Sequence, residues 1–358
     1  PNACNDCHKD RSAEWAAEAI ERWHGPARKG FQKYAEAFHA AWTDQTEAAA
    51  LLSTVASSSS TPAIARASAL SDLASRLSSS NINLARSGLS DPDPMVRIGA
   101  LDMLENVPVT QLWPLASPLL RDSNRGVRIR AVALLAAVPT VSQPLADREP
   151  FERAAAEFVA AQHLNDDRPE SRSALGNFYA RRGVTDDAEA EYRSALRLSP
   201  HYASAAINLA DLYRQLGRDP EGESVLRAAI ATSPQDAGLH HALGLTLTRQ
   251  KRRGEALGEL QRAAELDPDR ARYGYVYAVA LHSVGRGSEA MSALRDNLVR
   301  HPADPDTLLG LISFSRAAED FGTALQYAER LAQVSPGNAE VAALVENLRQ
   351  EIKKTKAQ

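Results

Sequence analysis

Cys4 and Cys7 are the only thiols among 358 residues, and His8 follows the second of them directly. Two cysteines one helical turn apart reach the two vinyl groups of a single porphyrin, and a histidine beside the second lies under the iron as axial ligand. C-x-x-C-H is the attachment pattern of a c-type haem. Three other chemistries compete for the same residues. A thioredoxin-like redox pair requires a βαβ setting, and nothing around Asn5-Asp6 reads as strand. A zinc site requires a second ligand pair, and the chain offers no further cysteine and no close H-x3–5-H. A plain Cys4–Cys7 disulfide is the simplest alternative. The adjacent histidine and the use of both cysteines point to one haem c on Cys4 and Cys7, with His8 on the iron. For the far side of the iron the nearby candidates are His39 or His24, each of which also reads as an ordinary surface histidine.

No catalytic constellation accompanies this motif. G-x-S-x-G, the P-loop and H-E-x-x-H are all missing from the sequence. Asp166-Asp167 and Asp186-Asp187 fall at expected helix starts, where carboxylates cap the positive helix end. Enzymatic activity would therefore require a haem with an open coordination position. A formal charge of −4, from 41 basic and 45 acidic residues, lacks the positive field of a nucleic-acid binder. No run approaches the ~18–20 apolar residues of a membrane span. Residues 1–20 lack the charged and apolar regions of a secretion signal, and the chain reads as a fragment or a processed product.

The elements that must position these groups read as helices throughout. Residues 8–26 are expected to form one amphipathic helix with Trp15, Ala16, Ala19, Ile20 and Trp23 on one side, ended by Gly25-Pro26. A second helix should carry Phe31, Tyr34, Ala35, Phe38 and Trp42. This aromatic density, in a chain with only 6% aromatics, suits either a porphyrin face or an ordinary two-helix core.

Further on, Pro200, Pro234, Pro268, Pro302 and Pro336 recur every 34 residues. Leu175, Gly176, Tyr179, Ala188, Tyr192 and Ala195 keep register with Leu209, Ala210, Tyr213, Gly222, Leu226 and Ala229, and with Leu243, Gly244, Leu247, Ala256, Leu260 and Ala263. A fourth unit follows, and a fifth degenerate one with Ser315 and Ala328 in two large-residue slots. Small residues allow two antiparallel helices to approach, large ones fill between them, and proline ends the second. This pattern strongly resembles the tetratricopeptide repeat. Gly183, Gly217 and Gly285 suit the left-handed stop between paired helices. Asp219-Pro220 reads as N-cap and first helical position. Residues 151–164 fit the second helix of a preceding unit, 339–352 a capping helix, and the KKTK tail a frayed end.

A shorter period lies upstream. Asp91, Val96, Arg97, Ala100, Leu104 and Pro108 return 31 residues later as Asp122, Val127, Arg128, Ala131, Leu135 and Pro139, with a faint copy at Arg66, Ala69, Leu70 and Leu73. These phrases resemble HEAT repeats. The two prolines of 140–150 mark a joint. The expected architecture is an all-α solenoid, HEAT-like repeats followed by TPR repeats, behind a small helical c-type haem-binding segment. Its divisions are 1–43 for the haem segment, 44–143 for the HEAT-like repeats, 150–336 for the TPR array and 337–358 for the capping helix and tail.

The run P-N-A-C-N-x-C-H-x-D-x-S-x-x-W-A, then W-x-G-P, then the two repeat types, is similar to the C-terminal part of periplasmic multihaem c-type cytochromes. Such proteins carry further C-x-x-C-H motifs and a histidine upstream of P-N-A-C, and neither stands in this sequence. The resemblance implies an electron-transfer protein of the bacterial periplasm or cell exterior, whose repeats dock redox partners or neighbouring subunits. Rival readings are a non-redox interaction scaffold and a subunit of a multihaem oxidoreductase acting on a small oxyanion. In tetratricopeptide proteins the first helix of each pair lines a groove. The matching positions here are Asn177 and Arg181, Asp211 and Arg214, His241 and Arg249, Tyr275 and His282, and Ser313 and Arg316. Four arginines in one groove suit a partner bearing carboxylates. A solvated face is the plainer reading, with Glu170, Asp211 and Asp306 diluting the positive charge. His201 and His301, beside the repeat-end prolines, read as loop residues.

Overall fold

Alanine and leucine recur at three- and four-residue spacing, so each segment hides one apolar stripe by coiling into a helix and laying that stripe on its neighbour. The structure, a computed structural model, describes residues 4–26, 34–43 and 45–356. Helix is the regular secondary structure of the described residues, and none of them lies in a strand. No described helix is long and apolar enough to cross a membrane. The chain divides into two compact units, Pro1–Phe158 and Val159–Gln358.

The first unit holds α1 (Cys4–Cys7), α2 (Ala13–His24), α3 (Ala35–Trp42), α4 (Ala48–Ser57), α5 (Ala63–Asp72), α6 (Ile82–Gly88), α7 (Pro94–Met103), α8 (Val109–Ala116), α9 (Arg125–Leu135) and most of α10 (Leu145–His163). Its 31-residue period has a physical cause. Arg66 pairs with Asp91, Arg97 with Asp122 (2.8 and 2.9 Å) and Arg128 with Glu157 (2.9 and 2.7 Å). The remaining guanidinium nitrogen of Arg97 donates to the Asp91 carbonyl and that of Arg128 to the Asp122 carbonyl, each at 2.7 Å. The Arg97 and Arg128 rungs thus tie one helix to the turn before it and to the segment one repeat on, and Arg66 makes the second tie.

The second unit holds α11 (Pro169–Arg181), α12 (Thr185–Leu198), α13 (Ala203–Gln215), α14 (Asp219–Thr232), α15 (Ala237–Arg249), α16 (Arg253–Leu266), α17 (Ala271–Ser283), α18 (Gly287–Arg300), α19 (Pro305–Ala317), α20 (Phe321–Val334) and α21 (Ala339–Lys356). The small slots are small because nothing larger fits. A Cβ on Gly176 would lie 2.6 Å from the Tyr192 ring, and one on Gly244 2.6 Å from Leu260 Cγ. Each pair closes with the same hydrogen bond, from Val184 N–H to Tyr179, Arg218 to Tyr213, Arg252 to Leu247, Arg286 to Leu281 and Asp320 to Ser315. The left-handed residue inside this turn is glycine in three repeats (φ 70° to 82°), as expected, but Lys251 (φ 65°) and Glu319 (φ 59°) in the other two. The degenerate fifth repeat packs regardless, with Ser315 and Ala328 buried.

Several local expectations are corrected. Residues 8–26 are not one helix. The chain breaks after α1, and α2 starts at Ala13, where Ser12 Oγ accepts the Trp15 N–H. Gly25 ends α2 with a positive φ, as expected. Trp23 and Trp42 are 70% and 81% exposed, so neither belongs to a core, and Phe31 lies outside the described residues. The 140–150 joint is helical from Leu145. Helix α10 runs through Pro150, because the Ala146 carbonyl that the proline leaves without a donor accepts instead from Arg121 (2.9 Å). Asp219 is the first residue of α14, not its cap, and its carboxylate is engaged by Arg249. The expected capping helix is present as α21. It buries Val341, Val345 and Leu348 and continues through the KKTK run, which is therefore helical.

Candidate functional site

Two places concentrate chemistry, one in each unit. The first is built by α1 and α2. Cys4 and Cys7 sit at opposite ends of a single turn, both free thiols, with Cys7 exposed and Cys4 half-buried. Asn5 holds the following segment back on this turn by donating Nδ2 to the Arg11 carbonyl (2.7 Å). That places the His8 ring 5.0 Å from the Trp15 ring, with the Arg11 guanidinium 5.7 Å from the same indole. Beside Cys4 opens a cleft of ≈ 400 Å³ lined by Ala13, Ala16, Ala17, Ile20, Gly25 and Pro26, with Glu21 the charged residue of an otherwise apolar wall. Alanines along one side of α2 leave room for a flat apolar group against the helix. The donor set (two free thiols one turn apart, then an imidazole) and the apolar cleft are of the kind that covalent haem attachment uses. His24 ends α2 and His39 lies on α3, both exposed.

The second is the face made by the first helix of each pair, α11, α13, α15, α17 and α19. Side chains join these helices to one another. Asn208 donates to Asn177 Oδ1 (2.9 Å), which also accepts from the Tyr192 hydroxyl (2.7 Å). Burial pushes the Tyr192 phenol up to about 12. The His241 and Tyr273 rings lie 4.7 Å apart, and His282 stacks on Phe314 at 4.0 Å with the planes 8° from parallel. Tyr275 is half-buried beside Gly310.

The arginines differ among themselves. Arg214 is held by Asp211 of its own helix (2.6 Å), and Arg249 by Asp219 (2.8 Å) and Thr246 (3.1 Å). Arg181 is exposed. Arg316 is exposed, and its guanidinium has neither an ion pair nor a hydrogen-bond partner among the described residues. Sequence reasoning missed Tyr273 and Phe314, which carry the two ring contacts, and the role of Asp219. The 30-residue separation of Asp219 and Arg249, close to one repeat, is the signal in the sequence that could have shown a pairing between repeats.

His241 gives this face a pH dependence. Burial first, and then the nearby charges of Arg272 and Arg270, lower its pKa from the ordinary 6.5 to about 4, and Nδ1 has no hydrogen-bond partner among the described residues. The unfolded chain takes up a proton as the pH falls through 6.5 while the folded chain does not. Stability is therefore lost between about pH 6.5 and pH 4, and this residue contributes no slope above that window. His241→Leu should remove that part of the slope. Urea midpoints at pH 7.5 and 4.5 measure it: equal losses in wild type and variant would show that His241 does not titrate this way.

Five helix pairs in one register, closed by identical turns and bearing a continuous face of first helices, define a TPR-type helical solenoid. Residues 179–245 match the family model for the tetratricopeptide repeat. Among solved structures, the chain is similar to YrrB, described as a TPR protein with an unusual peptide-binding site (20% identity, 54% of this chain and 97% of that one, TM-score 0.41). It is also similar to PilW, a widely conserved type IV pilus biogenesis factor (19% identity, 66% and 99%, TM-score 0.46), and to PilF of Pseudomonas aeruginosa (24% identity, 53% and 87%, TM-score 0.45). A search of curated proteins found no match.

Proposed function

We propose that the chain is a protein-interaction scaffold whose repeats dock partner proteins along the face of α11, α13, α15, α17 and α19. The observation that carries this is the run of contacts joining successive first helices, Asn177 with Asn208, His241 with Tyr273 and His282 with Phe314, with Ala206 and Ala210 of α13 sharing one buried cluster with Leu239 and Leu243 of α15, so that the face is one surface. A peptide laid across it meets aromatic rings and the exposed Arg316 guanidinium together, the residue types that anchor protein contacts. The test is photo-crosslinking with benzoylphenylalanine in place of Tyr275 or, on the other helix row, in place of exposed Arg197. Adducts should form from the first position, weaken with salt and be few from the second. Equal yields from both would remove the face from consideration.

A second reading is favoured by the thiol pair beside the apolar cleft. Cys4 and Cys7 would hold one haem c, His8 would ligate its iron, and His39 or His24 would stand as the distal candidate. Bound there, haem supplies one-electron transfer, and the solenoid would keep redox partners or neighbouring subunits near it. Attachment of this kind takes place in the bacterial periplasm or outside the cell, which is where this reading puts the protein. In the same reading the 31-residue period of the first unit is of the HEAT class, and the segment is the end of a multihaem cytochrome. The chain, made with c-type maturation, should stain for haem on a denaturing gel. Cys4→Ala/Cys7→Ala should abolish the stain and keep most of the helical circular dichroism, since the repeats bury their faces on sequence neighbours. An unstained wild-type band from a strain that matures other c-type cytochromes would end this reading.

A further inference from the structure

At the end of the second unit α19, the start of α20 and α21 line an open cleft of ≈ 410 Å³, the size that takes a ligand's side chains rather than a single water. Leu309, Ile312, Phe321 and Leu344 form its apolar lining, and Ser313 and Arg316 its polar one. Leu309 is 45% exposed, a large apolar side chain left to solvent at the edge of the cleft. Arg316 is the cation of that lining, and it differs from Arg214 and Arg249 in having no carboxylate partner among the described residues. An unpaired guanidinium on an apolar wall attracts a carboxylate that arrives with an apolar neighbour, because two parallel N–H···O bonds strengthen as the neighbour displaces water.

We propose that this cleft binds an extended peptide segment of a partner protein in which a bulky apolar side chain stands next to a carboxylate. The apolar side chain lies against Leu309, Ile312 and Leu344, and the carboxylate accepts from Arg316, with Ser313 Oγ able to donate beside it. The proposal rests on the scaffold reading and narrows it: the paired Arg214 and Arg249 are spectators, and the specificity of the face lies at its last repeat.

The experiment selects a displayed random octapeptide library on the full chain, then on Arg316→Gln, Leu309→Ser and Arg214→Gln. All three positions are exposed, so these variants should fold, and circular dichroism checks that they do. The expected result is a consensus joining a large apolar residue to aspartate or glutamate. A synthetic peptide of that consensus should lose roughly tenfold or more in affinity on Arg316→Gln, the loss expected of one charge-assisted hydrogen bond. It should weaken on Leu309→Ser and bind Arg214→Gln within about twofold. A consensus without a carboxylate, no enrichment at all, or equal affinity for Arg316→Gln would overturn the assignment. If crosslinking from position 275 still captures partners while Arg316→Gln changes nothing, the cleft is wrong and the scaffold stands. If crosslinking from that position also shows no preference, the scaffold reading fails with it.

Discussion

Arg97→Ala is expected to lower the stability of the first unit by about 3–5 kcal/mol, the usual effect of removing one partner of a buried ion pair. Arg97 and Asp122 are only 12% and 8% exposed, and the guanidinium also satisfies the Asp91 and Pro92 carbonyls. Truncation leaves Asp122 Oδ2 and two carbonyls without their donor at once, while Asp122 Oδ1 keeps only the Asn124 N–H (2.8 Å). Arg97→Lys should recover only part of the loss, because an ammonium cannot bridge both Asp122 oxygens and a carbonyl in one plane. Arg153→Ala is the contrast. Its pair with Glu149 is 53% and 75% exposed, and its loss should change stability by less than about 1 kcal/mol. Urea unfolding followed by circular dichroism measures all three. A loss under about 1 kcal/mol for Arg97→Ala would show that the rungs follow the fold without holding it.

The second large effect concerns one substitution with opposite signs at two places. Gly99→Ala in α7 would put a Cβ 2.4 Å from the Ala67 carbonyl oxygen and 2.7 Å from its Cα. Those are backbone atoms of α5, so no rotamer change relieves the contact and the two helices must separate. Overpacking of this kind costs about 1–3 kcal/mol and sometimes more, against the roughly 1 kcal/mol that alanine gains over glycine inside a helix. Because the atoms met are backbone, the upper end of that range applies, and the net loss expected is about 2 kcal/mol. Gly258→Ala in α16, where a Cβ meets nothing within 4 Å, should instead stabilise by about 0.5–1 kcal/mol. Thermal melts of both variants decide it. A Gly99→Ala protein as stable as wild type would mean that α5 and α7 do not cross this closely.

That crossing also marks where the sequence stopped being informative. The second unit was legible because each slot is filled alike in successive repeats: Gly176, Ala210 and Gly244 stand at the same crossing, and the prolines count the register. Position 99 has no such echo. One period away stand Ser68 and Arg130, and Arg130, half-buried, pairs with Asp102 and Glu105, so a contact made once leaves no periodic trace. Pro150 misled for a similar reason. The proline is local, whereas Arg121, which satisfies the carbonyl it frees, lies 25 residues from that carbonyl. At the groove, residue types and spacing were readable, but not which arginines are already engaged. Asp219 beside Pro220 looks like a helix cap until Arg249 is brought to it by the stacking of repeats.

The rungs of both units have a consequence for how the chain is made. Arg66 finds Asp91 after 25 residues, Arg97 finds Asp122 after 25, Arg218 reaches back 29 to Glu189, and Arg252 reaches back 29 to Glu223. At about 5–20 residues per second a ribosome releases each awaited partner within about one to six seconds of the first. Closing loops this short takes a small entropic toll and little time compared with that interval. Each repeat can therefore dock on the one already released while the next is still being synthesised. A nascent chain at any length exposes about one unfinished helix pair, not a long unpaired apolar surface.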